Sequence, residues 1–351
     1  MMNETIEQLA EGAFEAGATD LFLCQDQVPR IRLDDTIQIP GASAVSYDTM
    51  RSFWEQCHAD PDHVHELDTS HSISGGRRLR VNLYKSLGLL SAVLRPIKED
   101  IPTMEQLGVP EALVTDWVSR KSGLVLVTGP TGSGKSTTLA SALQWVNEHH
   151  ARHVITIEDP IEYIFANNLS YFSQRELHAD TDSFSTALRS SLRQSPDIIL
   201  LGEIRDQETA KIALQAAETG HLVVATLHSS GVTDSLERLA NLFSPDDRES
   251  SLKLLAQHLI GVLSQQLLPR PDGGLLLAVE HLQNEAATRA WIHENNHTAI
   301  ADHINRGDSS LNCSFVRFLV AAAQQGYITE QVARQAAPNA QDFDRLFRGI
   351  S

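Results

Sequence analysis

The chain has 351 residues, a formal net charge of −17 and 42% hydrophobic residues, the balance of an ordinary folded protein with room for two or three domains. That acidity argues against a nucleic-acid partner or an anionic membrane surface, and no apolar run approaches the ~20 residues that a membrane-spanning helix requires. The three cysteines (Cys24, Cys57 and Cys313) are too far apart to pair as metal ligands and suit a reducing cytoplasm, and the acidic first residues do not read as a secretory signal.

Ile6, Leu9, Ala10, Ala13, Phe14 and Gly17 recur at helical spacing, so the chain is expected to open with a helix. Short strands are expected at 20–24, 29–33 and 36–39, a helix near 46–57, and further strands at 66–73, 77–84 and 88–95. Helix and sheet mixed in this way predict a small α+β domain over 1–97. Within it Arg78, Arg80 and Asn82 alternate and therefore share one face of a strand, and Arg95 closes the next strand. Two prolines and a charged cluster then break the pattern, and 98–121 is expected to be a linker.

From Ser122 fully apolar strands (123–128, 153–157, 197–201 and 221–227) alternate with helices (134–149, 183–194 and 206–219). Continuous apolar strands separated by helices predict an α/β core over 122–275 with a parallel sheet covered on both faces. In such a sheet ligands bind at the carboxyl ends of the strands. Beyond about residue 245 the pattern reads mainly as helices, so 276–351 is expected to be a mainly helical region.

Residues 129–136 read Gly-Pro-Thr-Gly-Ser-Gly-Lys-Ser, between an apolar strand and a helix. That is the setting of a phosphate-binding P-loop, in which backbone N–H groups and a helix N-terminus face phosphate oxygens. Gly129, Thr131, Gly132, Ser133, Gly134, Lys135, Ser136 and Thr137 are the candidate nucleotide ligands. Lys135 would reach the β- and γ-phosphates and the Ser136 hydroxyl would ligate Mg²⁺.

Three acids, Glu158, Asp159 and Glu162, crowd the end of the strand at 153–157 and would hold Mg²⁺ or orient a nucleophilic water. The strand at 197–201 ends in Gly202-Glu203, where most P-loop enzymes carry an aspartate. Glu203 is therefore the first candidate for the group that activates water, and Glu158 the second. His228, at the carboxyl end of the strand at 221–227, would sense a γ-phosphate; His221 lies at the opposite end. Arg175, Arg189, Arg193 and Arg205 collect in the same stretch of sequence. Arg78, Arg80 and Arg95 are candidates for arginine fingers reaching the nucleotide of a neighbouring subunit.

Taken together these segments resemble the secretion ATPases of type II and type IV systems over almost the whole chain. The match rests on Gly129–Ser136, Thr156–Glu162, Leu188–Arg193 with Pro196–Asp206, and Ala216–His228, and the Gly202-Glu203 ending is itself a feature of that family. The resemblance implies a RecA-like P-loop ATPase domain preceded by a PAS-like domain, in a ring-shaped homo-oligomer, a hexamer, with nucleotide between domains and between subunits. It implies ATP and Mg²⁺ as cofactors and a place at the cytoplasmic face of the inner membrane. Its partners there would be a pilus platform protein and a paralogous pilus ATPase.

A four-cysteine zinc element and a longer N-terminal region, usual in the extension and type II enzymes, are not in this sequence. That favours the branch that retracts type IV pili and drives twitching motility. Phe22 stands where the family usually has histidine, and Ala287–Glu294 and Asn312–Val316 depart from the retraction pattern. Alternative readings are an ATPase of a type II or type IV secretion system and an accessory or regulatory ATP-binding subunit of a pilus motor.

Overall fold

The computed structural model describes residues 5–33, 36–73, 77–98, 100–307 and 309–349. They divide into two compact units, one of 1–99 with 160–164 and one of 100–159 with 165–351. Among the described residues no helix is long and apolar enough to cross a membrane.

The first unit holds α1 (Ile6–Glu15), β1 (Asp20–Cys24), β2 (Arg30–Leu33), β3 (Thr36–Gln38), α2 (Tyr47–Gln56), β4 (Glu66–Ser72), β5 (Arg78–Ser86) and β6 (Leu89–Pro96). The strands form one sheet in the order β3-β2-β1-β6-β5-β4, antiparallel throughout. Thr5 starts α1 with a reciprocal capping box to Gln8, which satisfies two backbone donors that a helix start leaves open. Alternation sorts β5 cleanly: Leu79, Val81 and Leu83 are fully buried in a core with Phe53, Trp54, Leu21 and Leu94. Arg78, Arg80 and Asn82 point to the other face, as expected. The register places Arg80 opposite Arg95 and Ser70, and Asp20 opposite Arg32.

The second unit begins with α3 (Met104–Leu107) and α4 (Glu111–Ser119). Residues 98–121, expected as a linker, thus contain two helices, and the reason is burial. Trp117 of α4 is fully enclosed and donates from Nε1 to Gln283 Oε1 at 3.2 Å. Then follow β7 (Gly123–Thr128), α5 (Lys135–His149), β8 (His153–Glu158), β9 (Tyr171–Glu176), α6 (Phe184–Ser191), β10 (Ile198–Leu201), α7 (Gln207–Glu218), β11 (Leu222–Leu227), α8 (Val232–Leu242) and α9 (Pro245–His258). The rest is β12 (Leu259–Pro269), β13 (Leu275–Gln283), α10 (Ala286–His293), α11 (His297–Arg306), β14 (Asn312–Cys313), α12 (Phe315–Gln324), α13 (Glu330–Ala336) and α14 (Ala340–Phe347).

Its sheet has the order β14-β13-β12-β7-β11-β10-β8-β9. From β12 to β9 every pairing is parallel, whereas β13 and β14 join antiparallel. All six residues of β7 and all six of β11 are buried, the pattern of strands covered on both faces. The expected parallel α/β core is present, with two corrections.

Edge strand β9 was not foreseen. It is half-exposed and carries Gln174 and Arg175, so it lacks a continuous apolar run. The expectation of mainly helices beyond residue 245 also fails, because β12 and β13 form a long hairpin of 11 and 9 residues. Gly273 and Gly274 turn it with φ of 91° and 78°, a conformation that glycine adopts without steric cost. After β13 helices do dominate: α12, α13 and α14 enclose a separate core of Phe315, Leu319, Ala333 and Phe343.

Candidate active site

The glycine-rich loop leaves β7 at Thr128 and enters α5 at Lys135. Gly129 has φ +147°, and a Cβ there would lie 2.3 Å from Gln265 O and 2.5 Å from Ser133 Oγ, so no other residue fits. Gln265, buried in β12, donates from Nε2 to Ser133 O at 2.6 Å and braces the loop from the side. Gly134 caps α5 with φ +84° and no side-chain hydrogen bond, so the helix starts on backbone N–H groups, the usual receptor for an anion. Lys135 is buried, and its Nζ donates to Gly129 O and Pro130 O, each at 2.9 Å. The ammonium is thereby held over the loop that it would share with a phosphate.

Parallel pairing aligns the ends of β8, β10 and β11, and the polar residues beyond those ends come together. Glu203, almost wholly buried, accepts from Arg205 Nε at 2.6 Å through Oε2. The same oxygen lies 3.5 Å from His228 Nε2. The other ring nitrogen of His228 is 3.4 Å from Thr131 Oγ1 in the loop. Arg205 also reaches Asp159 Oδ2 at 3.3 Å. One chain of contacts thus runs from the loop through His228 and Glu203 to Arg205 and Asp159.

Burial lowers the His228 pKa below its ordinary 6.5, and the positive charges of Lys135, Arg238 and Arg205 add to this against the opposing pull of Glu203. The imidazole is therefore neutral at neutral pH, and its contact with Glu203 is not an ion pair. The hydrogen bond from Arg205 to Glu203 raises the arginine pKa against the cost of burial, so the guanidinium is permanently charged.

Geometry also explains the missing aspartate. Gly202 N donates to Ile157 O at 2.8 Å, and a Cβ on residue 202 would lie 3.2 Å from Glu158 Cα and 3.2 Å from Ile157 O. The ends of β8 and β10 approach so closely there that even a Cβ would press on the backbone of β8, and the carboxylate stands one residue later. Glu158 accepts from Gln174 Nε2 at 3.4 Å.

The remaining candidates scatter. Arg175 donates to Asp180 O, Arg189 pairs with Glu208, and Arg193 donates to Arg189 O. His221 is bonded to Ala216 O at 3.1 Å, a structural contact. In the first unit Arg95 pairs with the buried carboxylate of Asp20, which also binds Arg32 at 3.2 Å. Arg78 donates to Ser70 Oγ. Arg80 and Arg95 line a shallow pocket of about 290 Å³ together with Asp68, Asn82 and Val93. The pairing of Arg205 with both Glu203 and Asp159, and the bracing by Gln265, were missed. Asp159 was one of the acids singled out in the sequence and Arg205 stood two residues from Glu203, whereas nothing local pointed to Gln265.

Nucleotide and Mg²⁺ suit these residues. The loop supplies glycines in conformations that expose N–H groups, an enclosed ammonium, and a buried Ser133 hydroxyl without a hydrogen-bond partner among the described residues. Among the described residues no cluster of three or more His, Cys, Asp or Glu is arranged to hold a metal by itself. A magnesium ion would accordingly depend on phosphate oxygens for part of its shell.

Residues 76–330 match the family model "Type II/IV secretion system protein". The chain is 38% identical to the type IV pilus retractation ATPase PilT of Pseudomonas aeruginosa over 96% of this chain and 99% of that protein. It is 35% identical to the type IV pilus ATPase PilU of the same organism, over 97% of this chain and 91% of that protein. Among solved structures, that of the pilus retraction motor PilT with bound ADP superposes with a TM-score of 0.90 at 37% identity, covering 97% of this chain and 99% of the other.

Proposed function

This chain belongs to the type II/IV secretion system protein family, and on that premise we propose that it is a Mg²⁺-dependent ATPase whose hydrolysis powers type IV pilus retraction. The observation that carries the reading is the contact chain Thr131–His228–Glu203–Arg205 at the strand ends beside an intact phosphate loop. End-to-end similarity to a retraction ATPase supports it. In this reading the second unit is the RecA-like motor core and the first a PAS-like domain.

Each residue then has a task. Gly129, Thr131, Gly132, Ser133, Gly134, Ser136 and Thr137 cradle the phosphates, and Lys135 turns its ammonium from the loop carbonyls to the β- and γ-oxygens. Ser136 and Glu158 would hold Mg²⁺, which would supply charge neutralisation on the phosphates. Glu203 accepts a proton from the attacking water, and Arg205 fixes the orientation of its carboxylate. His228, neutral and tied to Thr131, reports whether a γ-phosphate is present. Arg78, Arg80 and Arg95 would act on the nucleotide of another copy in a hexameric ring, stabilising charge that develops during phosphoryl transfer. The ring would work at the cytoplasmic face of the inner membrane against a platform protein.

Deleting the gene and following single pilus fibres by live imaging tests this. Fibres that extend but no longer withdraw are expected; normal withdrawal would overturn the reading. A second reading, an accessory ATPase beside a main motor, is favoured by the comparable identity to PilU. It predicts that retraction persists in the deletion strain but weakens under load.

A further inference from the structure

Glu280 lies within β13, outside the contact chain described above. Its Oε1 accepts the backbone N–H of Val232 at 2.7 Å and its Oε2 that of Phe315 at 3.1 Å. Val232 is the first residue of α8, and Phe315 the first of α12. α8 starts at Gly231 without any side-chain cap of its own, and a Cβ on Gly231 would lie 3.1 Å from Glu280 Oε1. One carboxylate therefore caps two helices from a third element. Two helix starts aiming backbone N–H groups at its two oxygens account for a carboxyl group in this partly buried place. Burial and nearby Asp234 push its pKa up, against the two N–H bonds that favour the charged form.

Both helices lead somewhere. In the first turn of α8, Ser235 Oγ donates to Thr128 Oγ1 at 2.9 Å and lies 2.7 Å from Ser229 Oγ. Thr128 is the last residue before the phosphate loop, and Ser229 follows His228. Arg238, one turn further, donates to His228 O at 2.8 Å. The seating of α8 thus sets the backbone on both sides of the Thr131–His228 contact. α12 opens the C-terminal helical group and its own core. The sheet register joins the same points: Glu280 is opposite Ser264, and Ser264 opposite Thr128.

We propose that Glu280 is a positioning residue for ATP hydrolysis: by capping α8 and α12 together, it makes the placement of His228 and of the phosphate loop depend on how the C-terminal helices are seated. The proposal rests on the ATPase reading above. It gives the C-terminal helices a route to the site that needs no contact with nucleotide. Force or a partner that shifted α12 would loosen α8, and with it His228.

The test is E280Q in the full-length protein, with E203Q as a hydrolysis-dead control. An amide retains one acceptor oxygen and sets an NH₂ group against the second helix start. The turnover number is expected to fall about 10-fold, the scale of a sub-ångström misplacement, while the nucleotide Kd stays within about twofold because the loop's own bracing by Gln265 and Lys135 remains and only its placement against His228 shifts. Amide hydrogen exchange should quicken in the first turn of α8 and at His228 as well as at the start of α12. A role confined to stability would lower the melting temperature and leave both turnover per folded protein and exchange at His228 unchanged; that result overturns the proposal. Should E280Q fail to fold, S235A cuts the route at its other end without touching α12. Lower turnover with native exchange in α12 is then expected, and wild-type turnover overturns the proposal. Failure of the wild-type protein to hydrolyse ATP would instead refute the ATPase reading, while the exchange data still test the link from Glu280 to His228.

Discussion

Gly202→Ala tests whether the closeness of two strand ends, rather than any side chain, fixes the water-activating group. Residue 202 has no left-handed backbone, so alanine meets no conformational barrier there. The added Cβ would stand 3.2 Å from Glu158 Cα and from Ile157 O and 3.7 Å from Asp159 N. All three are backbone atoms and cannot swing aside, so β8 and β10 must part by a few tenths of an ångström. Overpacking of this kind costs about 1–3 kcal/mol. Stiffening of the unfolded chain by Gly→Ala returns about 0.4–1 kcal/mol. A net loss of about 1–2 kcal/mol lowers the melting temperature by about 2–8 °C. The catalytic consequence is larger in proportion, because Glu203 is the next residue and Glu158 sits on the opposing strand. With a 1 Å error costing up to ~10²-fold, a shift of tenths should reduce turnover about 10-fold. In the proposed reading nucleotide is held by the loop between β7 and α5, so its Kd should change less than about twofold. Steady-state ATP hydrolysis, nucleotide binding and thermal melting on one preparation measure all three. Turnover within twofold of wild type at an unchanged melting temperature would refute the argument.

Lys135→Ala should abolish nucleotide binding and hydrolysis together, whereas Glu203→Gln should bind nucleotide normally and lose at least ~10²-fold in turnover; wild-type turnover in either refutes the assignment. Mixing Arg80→Ala with Lys135→Ala protein, each inactive alone, should restore part of the hydrolysis if arginine acts on another copy's nucleotide, and a mixture that stays inactive would exclude it. The depressed pKa of His228 means that its contribution to stability is present above pH 6.5 and is lost as pH falls through its lowered folded value. The melting temperature of His228→Gln should therefore fall less than that of wild type between pH 7.5 and 5, and parallel curves would contradict this. Burial alone would raise the Asp20 carboxyl, but hydrogen bonds from Arg95 and Thr19 and the charges of Arg95 and Arg32 hold it below 3.8. Its contribution is present above 3.8 and lost as pH falls through the lowered value. Because Arg95 is 58% exposed and can rehydrate, Asp20→Asn should cost only about 1–3 kcal/mol in urea unfolding, and no measurable loss would refute the pairing.

Much of the fold was legible because its periodicities are strong. The alternation of Leu79, Val81 and Leu83 with Arg78, Arg80 and Asn82 identified both faces of β5, and the apolar runs of β7 and β11 announced a covered parallel sheet. Legibility ended where tertiary contacts decide. The helix α4 follows prolines that read as a break, and it holds because Trp117 finds a slot made by glycine: a Cβ on Gly261 would lie 2.3 Å from its ring. The strand β12 was lost among helices because Ser264, Gln265 and Gln266 interrupt its apolar run.

One of those interruptions, Gln265, bears on the site itself. A strand buried on both faces has no local use for a glycine, a serine, a glutamine or a carboxylate, since each forfeits packing or needs a partner. Here Gly202 lets two strand ends touch, Gln265 braces the phosphate loop, and Glu280 caps two helices, each across the chain from what it serves. Loop residues of the site were visible because their spacing is local: Gly129, Gly132, Gly134 and Lys135 lie within seven consecutive positions. Supporting residues were not, because their partners are 132 positions away for Gln265 and 48 for Glu280. In this sheet Gln265 and Glu280 spoil their strands' patterns and find their partners beyond the end of a neighbouring strand and at the starts of helices.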